Sequence, residues 1–282
     1  RSGRSWEEML LLQLGKLGAG HLPVAFAVLF FANLGFTYVV AVYFHHVDPI
    51  FPYISADGNT RPESCIFSFL LTISAFLSII IVCLRCSIVS AITGDENETM
   101  DQINMVSSYF GILGGLAMLA VASFQEAAVI TVHMSAAVVT FTCGSIYMLL
   151  QSYLTIRMAP TYNNRRIGII RLVLAVGSCL GLVLAISFGF AAAHKFHKYY
   201  PSLPTPRPWN RKYWQPGYEL HVVSAISEWA MAICHILFIL SFSRDFEKLR
   251  ITFTCRSLVR HFDESRYNSR EMLYTGERQI EC

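Results

Sequence analysis

The chain has 282 residues, of which 54% are hydrophobic and 15% charged, with a net charge of +3. Soluble domains carry roughly 25% charged residues, and the mean hydropathy here is +0.46, which argues against a soluble globular fold. The Lys and Arg residues sit at the ends of apolar runs rather than along one face. That is the signature of membrane topology and argues against nucleic acid as a partner.

The first segment, 1–21, holds Arg1, Arg4 and Lys16 ahead of an apolar run. Within it, Glu7, Leu11 and Leu12 fit an acidic dileucine pattern that sorting adaptors of endosomes and lysosomes read in cytosolic tails. An interfacial amphipathic turn before the first span explains the same residues equally well. The run 22–44 is too long for a signal-peptide core and has no small-residue cleavage site after it, so it is read as a retained span.

Apolar runs near the roughly 20 residues needed to cross a bilayer recur along the chain. They predict an all-α membrane protein, a six-helix transmembrane bundle with short loops, spanning 22–44, 65–84, 105–125, 127–150, 168–192 and 221–243. The third and fourth spans form a hairpin that turns at Gln125 and Glu126, both expected to be solvated. The segment 195–220 carries Pro201, Pro204, Pro206, Pro208 and Pro216 and is expected to be extended and polyproline-like. Tyr199, Tyr200, Trp209, Tyr213, Trp214 and Tyr218 would hold it at headgroup level. The tail 244–282 continues the last helix briefly and then turns mixed-charge and polar, the composition of a disordered segment; 245–250 could instead lie along the headgroups.

Alternate sides of the six spans carry 12 and 6 Lys and Arg residues, and the richer side, which includes both ends, is read as cytosolic. Arg171, just inside the fifth span, is expected to snorkel back to that surface. The usable glycosylation sequon, Asn97-Glu98-Thr99, then falls on the cytosolic side. Of the eight cysteines, Cys65 alone lies near the outer surface, so no disulfide is predicted. Cys86 and Cys255 are free thiols or palmitoylation sites. Gly111 and Gly115, and Gly177 and Gly181, have the four-residue spacing that lets helices pack closely in lipid.

Ionisable residues inside the spans are costly unless paired or wet. His133 and Glu228 each lie about seven residues below the outer surface, ~10 Å deep at 1.5 Å per residue. Equal depth permits a contact between them; the alternative is that a backbone carbonyl or a hydroxyl satisfies each separately. No HExxH, GxSxG, P-loop or Cys/His ligand set occurs. Catalytic, cofactor and metal roles are therefore not predicted. His45, His46, His194, His197 and His221 are interfacial histidines that could share a surface metal.

The outer segment Pro52-Tyr53-Ile54-Ser55-Ala56-Asp57-Gly58-Asn59-Thr60-Arg61-Pro62-Glu63 resembles the signature of the damage-regulated autophagy modulator (DRAM) family. Ser123-Phe124-Gln125, Val132-His133, Gly144, Tyr147, Gln151, Ser227-Glu228-Trp229, Ser241-Phe242 and Asp245-Phe246 follow in the family's order, so the likeness covers about 23–246. One departure is Ala56, where the family has Asp after the Ser, with the acid displaced to Asp57. The resemblance implies a non-enzymatic six-span protein of lysosomal or late-endosomal membranes that promotes autophagy, with membrane lipids, sorting adaptors and autophagy machinery as partners. It also implies an alternative, because the wider superfamily includes plasma-membrane and secretory-pathway members tied to phosphoinositide kinases or lipid remodelling. Asp57, Glu63, Gln125, His133, Glu228 and Trp229 are the candidate polar residues, expected to hold the outer loops onto the bundle.

Overall fold

Six long helices take up the apolar runs in this computed structural model, which describes residues 19–93, 97–207, 211–247 and 249. In chain order the elements are α1 (His21–Tyr43), α2 (Ile54–Asp57), α3 (Glu63–Thr93), α4 (Glu98–Ser123), α5 (Ile130–Arg157), α6 (Arg165–Tyr199), α7 (Tyr218–Leu240) and α8 (Ser243–Phe246). The six long helices, the last running from α7 into α8, are long and apolar enough to cross a membrane. Helix is the form that satisfies every backbone N–H and C=O within one segment in lipid. Glu7, Leu11, Leu12, Trp209, Cys255 and the tail from 250 onward lie outside the described residues.

Hydropathy underestimates the helices. α3 has 31 residues and α6 has 35, or about 46 and 52 Å at 1.5 Å per residue, against a hydrocarbon core of about 30 Å. The lipid ends before the backbone hydrogen bonding does. At the outer end α6 continues to Tyr199, so 195–199 is helix rather than extended loop. Arg211 reaches back there, donating to the carbonyls of Ala192 (3.1 Å) and Pro216 (2.8 Å). Its guanidinium lies over Phe196, 5.3 Å from the ring centre.

Each span packs against its neighbour in sequence, and α1 closes on α7. Val173, Val176, Leu180 and Val183 form an exposed apolar stripe on α6, whereas Asn33, Ser74, Asn104, Ser107 and Gln151 are buried. Polar side chains thus face the bundle interior and apolar ones the lipid. The glycines act within the chain: a Cβ on Gly111 would press on Val82 and Tyr147, and one on Gly181 would meet Met231 and the Ser227 carbonyl.

Asn97 caps α4, its side chain accepting from Met100 N at 3.2 Å. With this end in the cytosol the sequon stays unmodified, so endoglycosidase treatment should leave the mobility of the cell-expressed chain unchanged. A shift abolished by Asn97→Gln would reverse the topology.

Candidate functional site

The residues singled out in the sequence gather at the outer end, where segment 44–62 folds back over the bundle mouth. Trp229 fixes its middle: the indole Nε1 donates to the Pro52 carbonyl at 2.8 Å, and the ring meets Tyr38 edge-on with centroids 6.2 Å apart. Tyr53 donates to Ser224 Oγ at 2.6 Å and packs on His221, their centroids 4.8 Å apart. Burial pushes the Tyr53 hydroxyl up to about 12. The N–H of Ile54, at the start of α2, donates to Glu228 Oε2 at 3.2 Å.

Asp57 ends α2 with 1% of its surface exposed and both carboxylate oxygens without a partner among the described residues. Burial first, then the nearby Glu228 and Glu63 carboxylates, raise its pKa to about 8. Glu63 opens α3, fully buried, with Oε1 2.5 Å from His46 Nδ1 and Oε2 unpartnered.

The α4–α5 turn joins the same cap. The Gln125 carbonyl accepts from the N–H groups of Ala128 (3.1 Å) and Val129 (3.0 Å), and its side chain is half-buried. Glu126 is buried, 2% exposed, rather than solvated as its turn position suggested. Asn59 Oδ1 accepts from Ala127 N at 2.7 Å, which draws the turn under segment 44–62. Burial raises the Glu126 pKa; the Ser55 hydrogen bond and the neighbouring His133 and Arg207 pull the other way.

His133 and Glu228 do not share a hydrogen bond. His133 Nδ1 donates to the Phe124 carbonyl at 2.7 Å, while Glu228 takes the Ile54 N–H. Both nevertheless line one cavity of about 120 Å³. The histidines find separate partners too: His46 goes to Glu63, His197 to Thr205 (2.7 Å), and His221 packs under Tyr53. Among the described residues no three His, Cys, Asp or Glu side chains are grouped to hold a metal ion.

A second polar centre, at the opposite end, was not foreseen. Arg85 and Arg171 are both fully buried, so Arg171 turns inward instead of snorkelling. Asp245 Oδ2 accepts from Arg85 Nη1 and Arg171 Nη2, both at 2.9 Å, and from Asn163 Nδ2 at 3.2 Å. The remaining guanidinium donors go to neutral acceptors: Gln151 Oε1 and Thr155 Oγ1 for Arg85, Thr155 Oγ1 and both oxygens of Ser241 for Arg171. Gln151 passes the network on to Asn104 and Ser107 of α4. The Phe242 ring lies 5.0 Å from the Arg85 guanidinium and 4.5 Å from that of Arg171. Asp245 and Phe246, read in the sequence as tail or headgroup segment, are therefore interior residues on α8. The signal was present in Arg85, Arg171 and Asp245, three charges close to the same membrane boundary.

These features define a polytopic helical membrane protein whose bundle is capped by its own outer loop and locked at the other end by a buried ion cluster. Residues 18–249 match the Frag1/DRAM/Sfk1/Cwh43P N-terminal domain, and the chain belongs to that family. It is 33% identical over 243 residues to rat DNA damage-regulated autophagy modulator protein 2, covering 83% of this chain and 86% of the relative. To mouse DNA damage-regulated autophagy modulator protein 1 it is 36% identical over 219 residues, 76% of this chain and 85% of the relative. No solved structure matches.

Proposed function

We propose that this chain is a multi-pass modulator of autophagy that resides in lysosomal or late-endosomal membranes and acts without catalysing a reaction. The observation that carries the reading is its match, over most of both chains, to relatives named as autophagy modulators. The use of its intramembrane charges supports a non-enzymatic role, since Glu228, His133, Arg85, Arg171 and Asp245 are engaged in holding loops and helices together. Contact with autophagy machinery runs through the cytosolic ends, and Glu7, Leu11 and Leu12 supply the adaptor motif that sorts the chain. A second reading, lipid handling, is favoured by one observation: His133 and Glu228 line the same cavity.

The test follows the tagged full chain in cells, with and without Leu11→Ala and Leu12→Ala, and compares autophagic turnover with and without the gene. Wild type is expected on lysosomal or late-endosomal membranes, the double variant at the cell surface, and turnover slower without the chain. Cell-surface residence of both forms, with turnover unchanged on removal, would overturn the reading.

A further inference from the structure

Among the described residues, three buried polar groups face the cavity and have no partner: the side-chain amide of Asn33, the Tyr147 hydroxyl and His235 Nε2. Asn33 is 0% exposed and Tyr147 3%. The packing puts Asn33 and His235 at one depth and Tyr147 within one helical turn of them. Tyr38 of α1 meets Trp229 of α7. Asn33 lies five residues deeper on α1 and His235 six residues deeper on antiparallel α7, the same level to within about 1.5 Å. A Cβ on Gly144 would fall 2.5 Å from His235 Nε2, which sets Gly144 level with that ring. Tyr147 is then about 4.5 Å further along α5.

A buried donor or acceptor left unmade costs about 1–3 kcal/mol, so three around one space call for an occupant. Their chemistry describes it. His235 Nδ1 is 2.9 Å from the Met231 carbonyl, which can only accept, so the ring's proton sits on Nδ1 and Nε2 is an acceptor. Asn33 offers a donor and an acceptor, and Tyr147 can be either. Among the described residues no Lys or Arg lines the cavity, and Glu228, at its outer end, already holds Ile54 N. Phe26, Phe30, Leu71, Met118 and Ile236 line the rest of the cavity together with a few Ser and Thr side chains, so an occupant meets a largely apolar wall beyond the three polar groups. About 120 Å³ takes the leading end of an elongated molecule rather than the whole of it. Phe30 and Phe141, both half-buried, leave that space one side chain from the lipid.

We propose that the cavity binds the hydroxyl-bearing end of a neutral lipid, a sterol or an acylglycerol, with the hydroxyl donating to His235 Nε2 and bonded by Asn33 and Tyr147. This site is independent of the autophagy reading.

The test uses the full chain in cell membranes with two photoreactive, alkyne-tagged probes, one sterol and one diacylglycerol, and maps labelled peptides. At least one probe should label α1, α5 or α7 residues of the cavity, be displaced by its untagged parent, and lose about tenfold in labelling with Asn33→Leu. The Asn33→Leu protein should melt no lower than wild type, because an unpaired polar group has been replaced by an apolar one. Labelling by only one probe identifies the lipid class; labelling by both identifies the hydroxyl as the shared determinant. Absence of cavity labelling by either probe, or labelling that Asn33→Leu leaves intact, would overturn the proposal, as would a melting temperature clearly lowered by Asn33→Leu, the mark of a polar group that was structurally bonded.

Discussion

Asp245→Asn is expected to lower the melting temperature of the detergent-purified protein by on the order of 10 °C and to reduce its yield in membranes. Asp245 is the carboxylate shared by Arg85 and Arg171, all three at most 1% exposed. Removing one partner of a buried ion pair costs about 3–5 kcal/mol because a charge is left uncompensated. For a protein of this size each kcal/mol shifts the midpoint by about 2–4 °C. The sign of the charge balance sharpens the expectation. Two arginines face one aspartate, so Arg171→Met leaves a matched Arg85–Asp245 pair, whereas Asp245→Asn leaves two unmatched cations. Arg171→Met should therefore be the milder change, losing hydrogen bonds to Thr155 and Ser241 and the contact over Phe242. Equal loss from the two variants, or a midpoint unmoved by Asp245→Asn, would remove the ion cluster from the account.

The outer cap predicts the opposite sign for Asp57→Asn. Asp57 in the folded protein titrates at about 8, against about 3.9 for a free aspartate, so folding favours its protonated form. Near pH 4 and below, the buried group is neutral in both states and carries no penalty. As pH rises above 4 the unfolded chain ionises first and stability falls, until the folded group ionises near pH 8 and the penalty is complete. At pH 7 that amounts to a few kcal/mol. Asp57→Asn should raise the melting temperature at pH 7 by several degrees, flatten the profile between pH 4 and 8, and match wild type near pH 4. Melting curves across that range check it; a wild-type profile as steep as that of Asp57→Asn would assign the pH dependence elsewhere. Glu126 shifts in the same direction, so some slope should persist in the variant. The Lys and Arg bias reads the cap as the non-cytosolic face, and acid on that side would firm it.

The six spans were legible because lipid demands an uninterrupted apolar run, and the outer cap because charges there stand out against it. The helix ends were not, since backbone hydrogen bonding carries α3 and α6 past the point where hydropathy stops. Pairings proved hardest. Counting residues from the surface put His133 and Glu228 level, but α5 starts at Ile130 while Glu228 lies ten residues inside α7, and segment 44–62 dips inward to bring Ile54 N to Glu228. Arg85 and Arg171 looked like surface charges because their anion, Asp245, is 160 and 74 residues away in sequence. Local reading sees a charge at a membrane boundary; only the fold decides whether it points out or in.

We hold that this family member serves autophagy as a folded, locked membrane bundle. Autophagic turnover after starvation tests it most directly, in cells without the chain, in cells with wild type restored, and in cells restored with Asp245→Asn. Wild type should restore turnover, and Asp245→Asn, poorly retained in membranes, should leave it near the level of cells without the chain. Normal turnover in cells without the chain, or full restoration by Asp245→Asn that fails to accumulate folded, would contradict it.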